Sequence, residues 1–319
     1  MMSARKIYKY IFLKILDILK IDKKYLKLIK SSEYLVVLNL HRVSNDKNSF
    51  YPSLTPQLFE ALLKYITKEF NVITFQEIEE YKNSKKPSII LSFDDGFYDF
   101  KESAMPILKK YNIKANLNII PKCIENREPI WDVMLGDILN QLPIKIINQI
   151  ELGEFNIKLN YKNRSKYGLA LTRYLKQKTY IDREELWKNI KNSTEKYDIK
   201  FTQMLNKKEI IEISEIHEIG VHSYSHESMG IESKEYFEED FFKCKEYFEN
   251  ILKLPLDIYA FPSGSYQEYQ LDYLEENKIK YILLVGEEYS SYHSNRYSRF
   301  TYYADSISEI KIRVVGFHR

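Results

Sequence analysis

Residues 88–96 read Ser88-Ile89-Ile90-Leu91-Ser92-Phe93-Asp94-Asp95-Gly96. The first six form a short, nearly continuous apolar run, the pattern of a strand covered on both faces. Two adjacent carboxylates and a glycine end it. Carboxylates side by side repel each other, so a cation is expected close by. The glycine permits a sharp exit turn. Working outward, similar apolar runs fall at 34–40, 72–75, 115–120, 218–222, 257–261 and 280–285. Helical patterns separate them at 55–70, 76–81, 99–111, 234–252 and 267–277, the first opened by Thr55 as N-cap and Pro56 at the first helical position. Buried strands alternating with helices imply parallel pairing under a helical coat, a barrel-like α/β fold.

Between about 121 and 204 the alternation stops. Helical patterns at 131–139, 164–178 and 184–197, with a hairpin expected over 145–159 turning at Gly153, suggest an inserted, mostly helical subdomain or lid. The expected organisation is a helix over 1–32, a barrel over 33–121 and 205–319, and an insertion over 122–204. Of the 319 residues, 44% are hydrophobic and only 2 are cysteine, which excludes a disordered chain and a disulfide scaffold. Cys123 and Cys244 read as packed, reduced thiols. No run of 18 apolar residues is present, so a transmembrane helix is not expected.

The net charge is +3, but residues 1–30 hold nine Lys and Arg against Asp17 and Asp22. That segment therefore carries +7 and the remainder −4. Ile7, Ile11, Ile15 and Ile18 recur at helical spacing. Two readings follow: an aliphatic stripe packed on the body with its lysines in water, or a basic amphipathic helix making peripheral contact with an anionic membrane. Lys14 and Asp17 interrupt any signal-peptide core and no small-residue cleavage site follows. The expected location is the cytoplasm or the inner face of its membrane. No nucleic-acid-reading motif accompanies the basic segment, and a nucleic-acid partner is not expected.

A second polar cluster, Gly220-Val221-His222-Ser223-Tyr224-Ser225-His226, also follows an expected strand. Two His four apart can present both imidazoles to one metal from a helical turn or a compact loop. With one carboxylate they make a two-His-one-carboxylate set that leaves positions open for water and substrate. Both clusters lie at the C-terminal ends of strands, where active-site loops gather in parallel α/β folds.

These residues resemble the motifs of the polysaccharide deacetylase (NodB-homology, carbohydrate esterase 4) family. Residues 92–96 are similar to its first motif, 222–226 to its second, and Phe261-Pro262-Ser263-Gly264 to its third, usually an aromatic-Pro-aromatic-Gly turn. Residues 38–43 and 297–300 resemble segments of an exopolysaccharide-linked branch. The resemblance implies a distorted, incomplete (β/α) barrel and metal-assisted removal of an acetyl group from an N-acetylated sugar in a polysaccharide or lipid-linked glycan. It implies Asp95, His222 and His226 as ligands of a divalent metal, Zn²⁺ first, with Co²⁺, Ni²⁺ or Mn²⁺ as alternatives. Asp94 would be the base, and a backbone N–H near Ser263 would help stabilise the oxyanion. His41 is the preferred acid, with His318 as the alternative. Ala260 stands where many members carry an arginine beside the base, and Arg299, or failing it Arg42, is expected to substitute in space. O-deacetylation, deformylation and a catalytically silent carbohydrate-binding or assembly role are the competing functions.

Overall fold

The computed structural model describes residues 4–46, 53–160 and 162–317. The apolar runs become strands β1 (Tyr34–Leu40), β2 (Asn71–Ile73), β3 (Ser88–Phe93), β4 (Asn116–Ile119), β5 (Glu218–Val221), β6 (Ile258–Ala260) and β7 (Tyr281–Val285). Two strands not expected from the sequence follow, β8 (Ser290–Ser291) and β9 (Arg296–Thr301). Seven strands pair in parallel in the order β1-β3-β4-β5-β6-β7-β9, and β9 pairs back onto β1. This is an incomplete (β/α) barrel, as the resemblance implies, one strand short of the eight of a complete barrel. It is pinched where β5 and β6 share a single register pair, Val221 with Tyr259. β2 runs beside β3, and β8 lies antiparallel to β1.

Side chains alternate across each strand, and this alternation grades the barrel interior along its axis. Leu35, Val37, Ile90, Ile258, Ala260, Leu283 and Tyr297 form one apolar cluster at the strand beginnings. One or two positions further along the same faces come Asn39, Ser92, Asn116, Asn118 and Arg299, all buried. The opposite faces, with Val36, Leu38, Ile89, Leu91 and Leu117, join the main core beneath the helices. A dry floor therefore carries a polar upper layer.

The helices in chain order are α1 (Ala4–Ile18), α2 (Ile21–Ser31), α3 (Pro56–Glu69), α4 (Ile78–Tyr81), α5 (Met105–Lys110), α6 (Pro121–Asn126) and α7 (Trp131–Gln141). They continue with α8 (Ile144–Ile147), α9 (Arg164–Lys176), α10 (Tyr180–Thr194), α11 (Lys207–Ser214), α12 (Lys234–Glu246), α13 (Glu268–Glu276) and α14 (Ile307–Val314). Thr55 caps α3 as its sequence suggests, accepting from Leu58 N. Between β4 and β5, α7, α9 and α10 bury Trp131, Leu135, Leu171, Leu175, Trp187 and Ile190 in a cluster of their own.

Three expectations are corrected. The single helix over 1–32 is two helices, broken where Lys20 takes a left-handed conformation (φ 52°). The hairpin over 145–159 does not form: α8 and turns occupy it, because Ile147, Leu152 and Leu159 are drawn into the helical cluster instead of a strand pair. The aliphatic stripe of α1 does not pack on the body. Leu13 is the buried residue on that helix, and Asp17 is held by Ser308 and Lys311 of α14, leaving Ile7, Ile11, Ile15 and Ile18 between 46% and 69% exposed.

Candidate functional site

The polar layer opens into a cavity of about 380 Å³ at the C-terminal ends of the strands. Asp94 follows β3 directly, its backbone N–H donating to Leu40 O (2.9 Å). Arg299 from β9 is fully buried and clamps Asp94 with two bonds, Nη1 to Oδ1 (2.7 Å) and Nη2 to Oδ2 (2.9 Å). The same guanidinium donates to Ser92 Oγ (3.0 Å) and to Leu284 O (3.2 Å). Asn118 Nδ2 supplies a further bond to Asp94 Oδ1 (2.8 Å). Burial alone would raise the Asp94 carboxyl, but the Arg299 guanidinium and the His222 ring outweigh it and hold it well below the usual carboxylate range. The expected cation is therefore Arg299. Arg42, the other candidate, is engaged elsewhere: its Nε donates to Asp99 Oδ2 (2.7 Å).

Asp95 turns back in a left-handed conformation (φ 76°) and faces His222 and His226. His222 Nε2 lies 3.7 Å and His226 Nε2 3.4 Å from Asp95 Oδ1. The three candidate ligand atoms all fall within 4.8 Å of one another, and all three residues are buried. The His pair comes from a compact loop, the second of the two geometries its spacing allows. Ser223 and His226 both adopt positive φ, and Ser223 Oγ accepts from His226 N (2.8 Å). Asp240 of α12 holds the loop, accepting from Tyr224 N (2.9 Å) and Ser225 Oγ (3.1 Å).

The donor set fits a divalent metal. Asp95 Oδ1 is buried without a hydrogen-bond partner among the described residues. Its carboxyl is pushed well up, by burial first and then by the Asp94 and Asp132 carboxylates, so a cation held there would be strongly favoured. Burial, reinforced by Arg299, pushes the His222 imidazole down to about 4, and burial with the His222 ring takes His226 well below its usual value. Both rings are therefore neutral at pH 7, as ligation requires. His222 Nδ1 lies 2.8 Å from Ala260 O, which fixes its proton there and leaves the Nε2 lone pair facing the carboxylates. Ligand atoms about 2.0–2.2 Å from one ion stand about 3.4 Å apart at the corners of a tetrahedron, near the 3.7 Å and 3.4 Å that separate Asp95 Oδ1 from the two ring nitrogens.

His41, just past β1, lines the same cavity, and burial lowers its imidazole below the ordinary value. His318 lies outside the described residues. In the third motif Phe261 and Ser263 line the cavity, while Pro262 is buried and Gly264 (φ +64°) makes the turn, with Val285 Cβ 3.0 Å from where a side chain would begin. Ser263 itself has φ 56°.

Among the cavity residues that escaped the sequence reading are Asp132, Lys176 and Tyr303. Lys176 reaches in from α9, 2.9 Å from Asp132 Oδ2 on α7 and 3.2 Å from Ser263 Oγ. Nothing in the local sequence separates Lys176 from its many surface counterparts. Asn118 was also missed, though the sequence carries a signal for it: Asn116-Leu117-Asn118-Ile119 puts two amides on one face of a buried strand, an arrangement that demands partners. The helical segment is also tied to the loop that carries His222 and His226. Arg183 of α10 makes a buried two-pronged pair with Glu227, next to His226, and stacks over Trp131 (4.9 Å).

A family profile described as Polysaccharide deacetylase matches residues 166–282. The resemblance read from the sequence is borne out over that stretch, where the chain is similar to the polysaccharide deacetylases. In the order of sequence likeness, it is similar to the putative polysaccharide deacetylase YxkH of Bacillus subtilis (strain 168), 28% identical over 109 residues. That match covers 33% of this chain and 38% of YxkH, so the chain spans well under half of the curated relative's length. Among solved structures it is similar to the Streptococcus pyogenes deacetylase PplD in complex with acetate, with a TM-score of 0.59 at 16% identity over 88% of this chain and 98% of that one. IcaB from Ammonifex degensii superposes with a TM-score of 0.58 at 16% identity, over 88% and 97%. These likenesses establish the fold.

Proposed function

We propose that the protein is a metal-dependent deacetylase that hydrolyses the acetamide of an N-acetylated sugar in a polysaccharide or a lipid-linked glycan. One observation carries this reading: Asp95, His222 and His226 converge on a single point beside an arginine-clamped carboxylate, on the floor of a cavity. Asp95, His222 and His226 would hold the divalent ion, Zn²⁺ first among the candidates. When bound, it supplies Lewis acidity toward the acetyl carbonyl and lowers the pKa of water.

The remaining work falls to side chains. Asp94, kept ionised by Arg299, accepts the proton of the attacking water. Arg299, Ser92 and Asn118 fix the orientation of that carboxylate, so it does not have to reorganise as the proton arrives. The backbone at Ser263 borders the place where the carbonyl oxygen gains charge. His41, neutral at rest in its buried position, takes up the proton that Asp94 has received from the water and hands it to the departing nitrogen. The balance is one water and one acetamide consumed, with one acetate and one ammonium formed. Lys176, Asp132 and Tyr303 complete the walls and contact the sugar.

The test is acetate release from N-acetylated chito-oligosaccharides and lipid-linked N-acetylated sugars, with and without a chelator. Chelation is expected to abolish release and added Zn²⁺ to restore it, while Asp94→Asn is expected to lower kcat by about 10²–10⁴-fold. Turnover that survives both thorough metal removal and Asp94→Asn overturns the proposal.

A further inference from the structure

The outward face of α1 is an apolar surface that neither the cavity nor the cores explain. Ile7, Ile11, Ile15 and Ile18 run down it, flanked by Tyr8, Phe12 and Leu19, and each of these is at least 40% exposed. The helix is 15 residues long, about 22 Å of apolar ridge. Ridges of this size on a protein surface mark an interaction site.

The charges around the ridge are sorted. Both acids of residues 1–30 are turned inward: Asp17 accepts from Ser308 Oγ (2.9 Å) and pairs with Lys311 (2.8 Å), and Asp22 accepts from Tyr65 OH (2.7 Å). Lys9 and Lys23 reach the body as well, to Glu309 and Glu69 (2.6 Å each). The outward surface is left with apolar side chains and exposed lysines, Lys14 and Lys20 beside the ridge and Lys24 and Lys27 on α2. A protein partner could match the apolar ridge alone. The segregation of acids inward and lysines outward instead complements a surface that is apolar below and anionic at its boundary.

We propose that α1 and α2 dock this protein on an anionic phospholipid bilayer, with the isoleucine ridge in the acyl boundary and the lysines at the headgroups. The placement bears on the cavity. Lys9 sits 5.8 Å over the ring of Tyr303, and Tyr303 lines the cavity. The docking helix thus borders the cavity rim, and a membrane-held glycan could enter without a long excursion into solvent.

The experiment is co-sedimentation of the full chain with phosphatidylcholine vesicles, with and without phosphatidylglycerol. Binding is expected on the anionic vesicles only and is expected to fall at high salt. Reversing Lys14, Lys20 and Lys24 to Glu should weaken it by about fivefold or more per lysine. The variant Ile11→Ser/Ile15→Ser/Ile18→Ser should stay in the supernatant while keeping the far-ultraviolet circular dichroism of the parent, since these side chains support no core. The proposal is overturned if the parent stays in solution with anionic vesicles, if it binds both vesicle types equally, or if the isoleucine variant still binds. A lipid-free dimer that the isoleucine variant converts to monomer overturns it too, by naming a second copy as the occupant. Vesicle binding is read without turnover, so its failure leaves the deacetylase reading untouched.

Discussion

Replacing Arg299 tests the site where chemistry and stability meet. The guanidinium is fully buried and makes two bonds to Asp94, one to Ser92 Oγ and one to Leu284 O. Its removal leaves the Asp94 carboxylate, itself 1% exposed, with the Asn118 amide but no counter-charge on its clamped side. Breaking one partner of a buried pair costs about 3–5 kcal/mol. In a chain of this length that lowers Tm by about 6–20 °C, taking about 2–4 °C per kcal/mol for large domains. Arg299→Met should show this loss in urea unfolding, and Arg299→Ala should lower kcat in the acetate-release assay by about 10²-fold or more, because the base is neither oriented nor kept ionised. The double variant Arg299→Met/Asp94→Asn removes the orphaned charge. It should recover most of the stability and none of the activity. Unchanged turnover in Arg299→Ala refutes the assignment, and a double variant as unstable as Arg299→Met refutes the energetic argument.

Three further outcomes follow from other parts of the structure. Arg183→Met breaks the buried pair with Glu227 beside His226, and should loosen the ligand loop, weakening metal affinity by about 10–100-fold in a chelator competition titration. In Gly220→Ala, the new methyl would stand 2.3 Å from Asn118 Oδ1 and 2.8 Å from Ile258 Cβ. It should cost about 1–3 kcal/mol by denaturation, with a fall in kcat as Asn118 is displaced from Asp94. Glu218, at the start of β5, has its carboxyl raised by burial to about 7, against the pull of bonds from Gln76 N and Phe75 N. Because its folded value lies above the unfolded one, its share of stability is complete below pH 4.5 and is lost as pH rises through 7. Glu218→Gln should flatten that part of the stability profile relative to the parent, and an unchanged slope would contradict it.

Much of this was legible from the chain alone because the signals were local. The apolar runs at 34–40 and 88–93 are strands, since continuous Val, Leu and Ile in short runs suit nothing else in a parallel barrel. The pairs Asp94-Asp95 and His222/His226 stood out because charged and metal-ligating side chains end buried strands. What could not be read depended on distant partners. β9 reads Arg296-Tyr297-Ser298-Arg299-Phe300-Thr301, four polar residues mixed with two aromatics, a pattern that looks like loop until the barrel interior is known to be polar at that level. The stripe on α1 has the same sequence pattern whether it faces a core or solvent, and only the polar grip of α14 on Asp17 decides between them. Lys176 acquires its place through the packing of α9 and carries no mark in its own neighbourhood.

Arg299 belongs to the strand that fastens the last pairing of the ring to the first, and its partner Asp94 lies 205 residues earlier in the chain. A chain that has gathered its two histidines and Asp95 but has not seated β9 would hold a cation while its general base stayed unclamped. In the proposed reaction, activation of that base and closure of the seam would be one event. On warming, hydrolytic competence should disappear with the unzipping of β9 from β1, ahead of the release of the ion.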